Sequence, residues 1–194
     1  MQTLPQVAAA QERGGELTAA LFLEPLSLDP LRGNAPPVDI QVMRLLYDSL
    51  VEYTPDAEIV PNLAESFEYS EDSLSLTFVL REGIEFHDGS AVDAEAVAYN
   101  LRRIPEGDLP SIYTSHFAQV ADIVVVDPMT VRVDLTEPSS TFLSSMATIP
   151  GMIASPGALE EMGEDFGVNP VGSGPFVFAD RQGGSSLSRI GQLR

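Results

Sequence analysis

Residues 61–103 read PNLAESFEYSEDSLSLTFVLREGIEFHDGSAVDAEAVAYNLRR. Ser66–Tyr69 and Leu74–Leu80 read as two strands joined by the polar turn SEDS. The second strand alternates, with Leu74, Leu76 and Phe78 on one face and Ser75 and Thr77 on the other. Arg81-Glu82-Gly83 and His87-Asp88-Gly89 are turns that end on glycine, and Ile84-Glu85-Phe86 lies between them. Asp93 is placed to cap a helix from Ala94 to about Arg103. Glu95 stands in its first turn, Arg102 and Arg103 in its last, and Pro105 just beyond, each suited to the helix dipole. Ala94, Val97, Leu101 and Ile104 form its apolar stripe. Hairpin, glycine turns and capped helix in one run argue for mixed α and β structure rather than regular βαβ alternation.

The flanks agree. Upstream, Leu17–Leu23 reads as a buried strand, broken by Glu24–Pro30 with its two prolines. Residues 32–37 read as a loop, and Val42, Met43, Leu46, Tyr47 and Leu50 mark one face of a helix over 38–50. Val51–Tyr53 is a short strand before the turn TPDAE. Downstream, Ile123–Val126 and Val131–Leu135 form a hairpin across Asp127–Thr130. Short helices are expected over Ser139–Ala147 and Leu159–Phe166, then a last strand, Phe176–Phe178. The tail DRQGGSSLSRIGQLR has almost no apolar pattern and is expected to fray. No repeat or low-complexity tract is visible.

The chain has 194 residues, 44% hydrophobic and 20% charged, a globular rather than a disordered balance. The net charge is −19, and every basic residue is Arg. Such a chain is unsuited to nucleic acid, which needs a positive patch to release counterions, and to an anionic membrane surface. With no cysteine there is no disulfide, thiolate metal site or Cys nucleophile. No stretch reaches the roughly 18 apolar residues of a membrane span. Val7-Ala8-Ala9-Ala10 reads either as the small-residue end of a signal peptide, with a polar start after it, or as part of a disordered N-terminal tail.

Catalytic constellations are not found. His87 and His116 are the only histidines, and their spacing makes no metal motif. His87 is expected to serve its own turn through local hydrogen bonds. Gly172-Ser173-Gly174 fails as a nucleophile elbow, because Val171 and Pro175 stand where glycines are required. Phosphate loops of the GxxxxGK[ST] type need a Lys. The scattered carboxylates are expected on solvent faces.

The quoted stretch resembles the signature of the extracytoplasmic solute-binding proteins of family 5, from peptide- and nickel-type ABC transporters. The family pattern runs roughly P-x-L-A-E-S-W, then T-F-x-L-R-x-G-V-x-F-H-D-G-x-P-x-T-A-x-D-V. Here Phe67 replaces the Trp, Asp93 a Thr and Ala96 an Asp. Four further segments resemble the family in the same order: SLDP at 27–30, LLYDSLVEY at 45–53, VVDPMTVRVDL at 125–135 and NPVGSGPFVF at 169–178.

The resemblance implies a lobe of a periplasmic-binding-protein-like type II fold, mixed α/β, with an inserted α+β subdomain. It implies residues 1–36 as N-terminal strand and loop of the first lobe, 37–167 as the subdomain, and 168–194 as the return to the first lobe. Family members are much longer, and LSRIGQLR departs from the expected continuation, so the lobe is expected to be incomplete. The implied role is capture of a peptide outside the cytoplasm for delivery to an ABC permease, with no cofactor and no catalysis. A relative binding nickel chelate, oligosaccharide or opine is the alternative, and an interaction module without ligand capture another. By resemblance, Phe22, Glu24, Pro25 and Leu26 face the ligand, Glu24 meeting its ammonium or guanidinium group or pairing with a cation of the second lobe, and Tyr113 offers an aromatic. The HDG turn is expected to be scaffold. Self-association through an exposed lobe face is also expected.

Overall fold

The computed structural model describes residues 25–32, 36–105, 111–182 and 186–191. The strand expected over 17–23, which includes Phe22, and the adjacent Glu24 lie outside the described residues.

Helix α1 spans Pro36–Leu46, so Pro36 and Pro37 open the helix instead of preceding it. A proline costs nothing there, because the first helical amides have no intrahelical partner. Val42, Met43, Leu46, Tyr47 and Leu50, the expected apolar stripe, are all buried. Strand β1 (Val51–Tyr53) pairs with β2 (Ile59–Pro61), a short strand absent from the sequence reading, across a turn in which Ala57 takes a φ of 62°.

The centre is a four-stranded antiparallel sheet of β3 (Ala64–Tyr69), β4 (Ser75–Leu80), β5 (Val120–Asp127) and β6 (Thr130–Leu135), in the order β3-β4-β6-β5. Leu76 and Phe78 of β4 face Val133 and Val131 of β6 and are fully buried. Thr77 meets Arg132 on the other face, where Arg132 pairs with Asp134. Leu74 falls before the strand and is partly exposed, so the buried face begins at Leu76.

Helix α2 (Ala94–Arg102) packs on the apolar face, against β5 and β6. Asp93 caps it as expected, accepting from the Ala96 amide at 2.8 Å. The stripe Ala94, Val97, Leu101 and Ile104 is buried. Each large apolar side chain so buried contributes roughly 1.5–3 kcal/mol.

Helix α3 (Phe142–Met146) is shorter than the sequence suggests. Helix α4 spans Pro156–Met162, three residues ahead of the expected start. Ser155 caps it through the Ala158 amide, Pro156 occupies its first turn, and Gly163 ends it with a φ of 55°. The remainder, Gly163–Val168, tightens into a 3-10 helix. Strand β7 (Phe176–Gln182) pairs antiparallel with β8 (Ser186–Gly191). The tail therefore forms a hairpin instead of fraying. Three residues, Gly183-Gly184-Ser185, separate its strands in the sequence, and this glycine-containing turn signal outweighs the sparse apolar residues Leu187 and Ile190.

Candidate functional site

Three places are candidates: the segment that starts at Pro25 among the described residues, the loop around Tyr113, and the junction between the HDG turn and the glycine segment 172–174.

The first is pinned from several sides. The Leu28 amide donates to the Gly167 carbonyl at 2.8 Å, and the Tyr47 hydroxyl donates to the Leu28 carbonyl at 2.8 Å. Burial, reinforced by the nearby Asp29 charge, holds the Tyr47 phenol well above its ordinary pKa, so it stays a donor. Asp29 is 1% exposed. Its Oδ1 accepts from the Leu31 amide at 3.0 Å, and both its oxygens take the Arg103 guanidinium, at 3.2 and 2.6 Å. Arg32 adds a longer contact at 3.6 Å. Arg103 is the C-cap of α2, so it serves not only the dipole but an ion pair across 74 residues of sequence. Just ahead of this anchored turn, Pro25 is buried and Leu26 is 70% exposed.

Tyr113 lies before the 3-10 helix Thr114–Phe117 and is 7% exposed. Its ring meets that of His116 edge-on at 6.1 Å. His116 Nδ1 stands 2.7 Å from Ser145 Oγ, which itself donates to the Thr141 carbonyl, so His116 is the donor in that pair. Tyr113 thus joins the packing between this loop and α3 and offers little surface.

The HDG turn and the glycine segment interlock. Gly83 and Gly89 adopt φ of 73° and 84°, a region that disfavours side chains. The His87 amide donates to the Gly172 carbonyl at 2.8 Å, and Nε2 bonds the Gly174 carbonyl at 2.9 Å. His87 therefore serves a partner 87 residues away rather than its own turn. A carbonyl can only accept, so the proton sits on Nε2. Nδ1 is buried without a hydrogen-bond partner. Asp88 accepts from the Ser90 amide and hydroxyl within the turn, and from Ser155 Oγ at 2.5 Å. Burial alone would raise the Asp88 pKa, but the bonds from Ser155 and Ser90 outweigh it and hold the carboxyl below its usual range. Opposite, a Cβ on Gly172 would stand 2.1 Å from the Leu46 carbonyl oxygen, and one on Gly174 2.5 Å from the Leu46 carbonyl carbon. Buried Ser173 donates to Asp48 at 3.2 Å.

Asn100 belongs to the same framework and escaped the sequence reading. Its amide donates to the Ala96 and Ala154 carbonyls at 2.9 and 2.8 Å, and its oxygen accepts from the Ala154 amide at 3.1 Å. Among the described residues there is no cluster of three metal-ligating side chains, and no helix is long and apolar enough to cross a membrane.

The two strongest sequence motifs thus hold each other in place. The model of the bacterial extracellular solute-binding proteins, family 5 Middle, matches residues 58–188 and includes both. The chain belongs to this family. The glutathione-binding protein GsiB of Pectobacterium atrosepticum is 35% identical over 152 residues, which are 78% of this chain and 29% of that protein. Among solved structures, the binding protein AgaA of A. tumefaciens R10, in complex with agropinic acid, aligns with a TM-score of 0.80 at 30% identity. That alignment covers 87% of this chain and 34% of AgaA. A dipeptide-binding protein from Pseudoalteromonas sp. SM9913, in complex with Met-Leu, aligns with a TM-score of 0.74 at 26% identity. It is covered over 36% of its length, against 81% of this chain. The fold is accordingly that of the periplasmic binding proteins, of which the chain spans about a third.

Proposed function

We propose that the chain supplies part of the substrate-receiving lobe of an ABC importer's binding protein. It works outside the cytoplasm, takes up a short peptide or peptide-like solute, and hands it to a membrane permease. The family match over residues 58–188 carries this reading. The relatives named for glutathione and for a dipeptide complex support a peptidic ligand.

In this reading the ligand meets the segment Phe22–Leu26. Glu24 receives its ammonium or guanidinium group through a charge-assisted hydrogen bond. Pro25 and Leu26 supply an apolar edge, in keeping with the exposure of Leu26 next to an anchored turn. Tyr113, largely buried, acts from behind by setting the loop that carries exposed Ile112.

Titration of the 15N-labelled chain by NMR tests the proposal. Glutathione and Met-Leu should each give saturable shifts centred on the Leu26 and Ser27 amides, which Leu26→Glu abolishes. An opine and a nickel–histidine chelate should not. A folded spectrum that none of these ligands perturbs would overturn ligand capture and favour a pure docking role.

A further inference from the structure

Strand β5 forms one edge of the central sheet, where β6 is its strand partner among the described residues. Its run Ile123-Val124-Val125-Val126 is wholly β-branched, uncharged and free of proline. An edge of that composition is a template for strand addition by another chain.

The register of the sheet fixes which peptide groups face outward. On β6 the Leu135 amide donates to the Leu74 carbonyl, on the β4 side, at 2.8 Å. Just beyond the strand the Thr136 amide donates to the Gln119 carbonyl, on the β5 side, at 2.8 Å. Peptide groups alternate along a strand, so Val131 and Val133 point toward β4, and Arg132 and Asp134 toward β5. Ile123 lies opposite Val133 and Val125 opposite Val131. Both therefore turn their N–H and C=O away from β6, to the open edge.

At Ile123 both groups are already taken. Arg102, the last residue of α2, donates to the Ile123 carbonyl, and Asp122 Oδ1 accepts from the Ile123 amide at 2.8 Å. On either side β5 carries an extra residue, Ala121 and Val126, that breaks its register with β6. A second copy of the strand, laid antiparallel about the centre of Val124-Val125, would set Asp122 against Asp127, and like charges so placed repel.

We propose that Arg102 and Asp122 form a guard that keeps β5 from pairing with β5 of a second copy of this chain. Their side chains occupy the hydrogen-bonding groups that an incoming strand would need. Arg102 thus does more than complement the helix dipole: it reaches from the helix to close the edge of the sheet beneath it. The guard is independent of the ligand reading at Leu26.

The double variant Arg102→Met/Asp122→Ala removes the donor and the acceptor and keeps an apolar stem at position 102. It is compared with the wild type by sedimentation and by 15N amide shifts over rising protein concentration. The mass of the variant should climb toward that of a two-fold dimer, with shifts centred on residues 123–126. The same amides of the wild type should not move. Arg102→Met alone leaves the Ile123 amide capped and should need about tenfold more protein to associate. Adding Val125→Pro to the double variant should restore the monomer, because proline there removes an outward N–H and leaves the β6 ladder intact. Three results would overturn the proposal: wild-type β5 amides that already shift with concentration, a folded double variant whose β5 amides do not, and association that survives Val125→Pro.

Discussion

Asp29 is the residue on which the entry segment turns. A carboxylate with 1% exposure is tolerable only because Arg103 meets both its oxygens and the Leu31 amide meets one. Removing one partner strands the other, so Asp29→Ala should cost about 3 kcal/mol or more in urea unfolding. Asp29→Asn keeps an acceptor for the Leu31 amide and should cost less. Asp88 makes a different prediction, in pH. Its folded pKa lies below the ordinary value, because the Ser155 and Ser90 bonds outweigh the opposing effect of burial. The unfolded chain therefore binds the proton more readily. The contribution is fully present above the ordinary carboxylate pKa of about 3.9 and is lost as the pH falls through the lower folded value. Asp88→Asn should flatten the acid limb of the stability profile, modestly, because much of the carboxyl is open to solvent. Neither role is legible in the sequence. Asp93 could be read as a cap because its partner is three residues away, whereas Asp29 and Arg103 are 74 apart and Asp88 and Ser155 are 67 apart.

The informative elements are the ones that cross. Hairpin β5–β6, strand β4 and helix α2 were legible because their residues repeat with the period of the element they form. Helix α4 was placed late because its start is set by Ser155 and Pro156, which lie before any apolar repeat. Hairpin β7–β8 was missed because its second strand is polar. The sequence shows that the glycine segment 172–174 is no nucleophile elbow, but the reason for its glycines is a close approach to the end of α1 that no local pattern announces. Gly174→Ala would drive a Cβ to 2.5 Å from the Leu46 carbonyl carbon, with backbone on both sides and no flexible side chain to yield. The loss should reach about 3 kcal/mol. Gly83→Ala meets open space and bears only the strain of its positive φ, about 1–2 kcal/mol. Denaturant midpoints of the two variants, compared at equal slope, check this ordering. If Gly83→Ala proved the more damaging, the interlock would not be what fixes these motifs.

At the scale of the whole molecule, charge and coverage set the behaviour. A net charge of −19 repels itself, and salt screens that repulsion over about 10 Å at 0.1 M. The thermal midpoint should therefore rise with NaCl, and a flat response would mean that the carboxylates are already spaced widely enough. Ligand affinity follows from coverage. The chain spans 29% of the glutathione-binding relative's length and 36% of the dipeptide-binding one's. Sites for small ligands generally bury about 70–90% of the ligand surface, which requires walls on more than one side. In the proposed reading, the exposed Leu26 and the anchored turn behind it offer one wall. A ligand resting on one wall keeps the cost of immobilisation but forgoes much of the contact that offsets it. The isolated chain should accordingly bind glutathione or Met-Leu no more tightly than about millimolar, roughly 4 kcal/mol short of a micromolar site. Calorimetry decides this. Micromolar affinity in the isolated chain would mean that the segment around Leu26 is a sufficient site. Grafting residues 25–191 in place of the matching segment of the glutathione-binding relative supplies the missing walls. If one-sidedness is the cause, affinity should recover in the graft, and Leu26→Glu should remove it again.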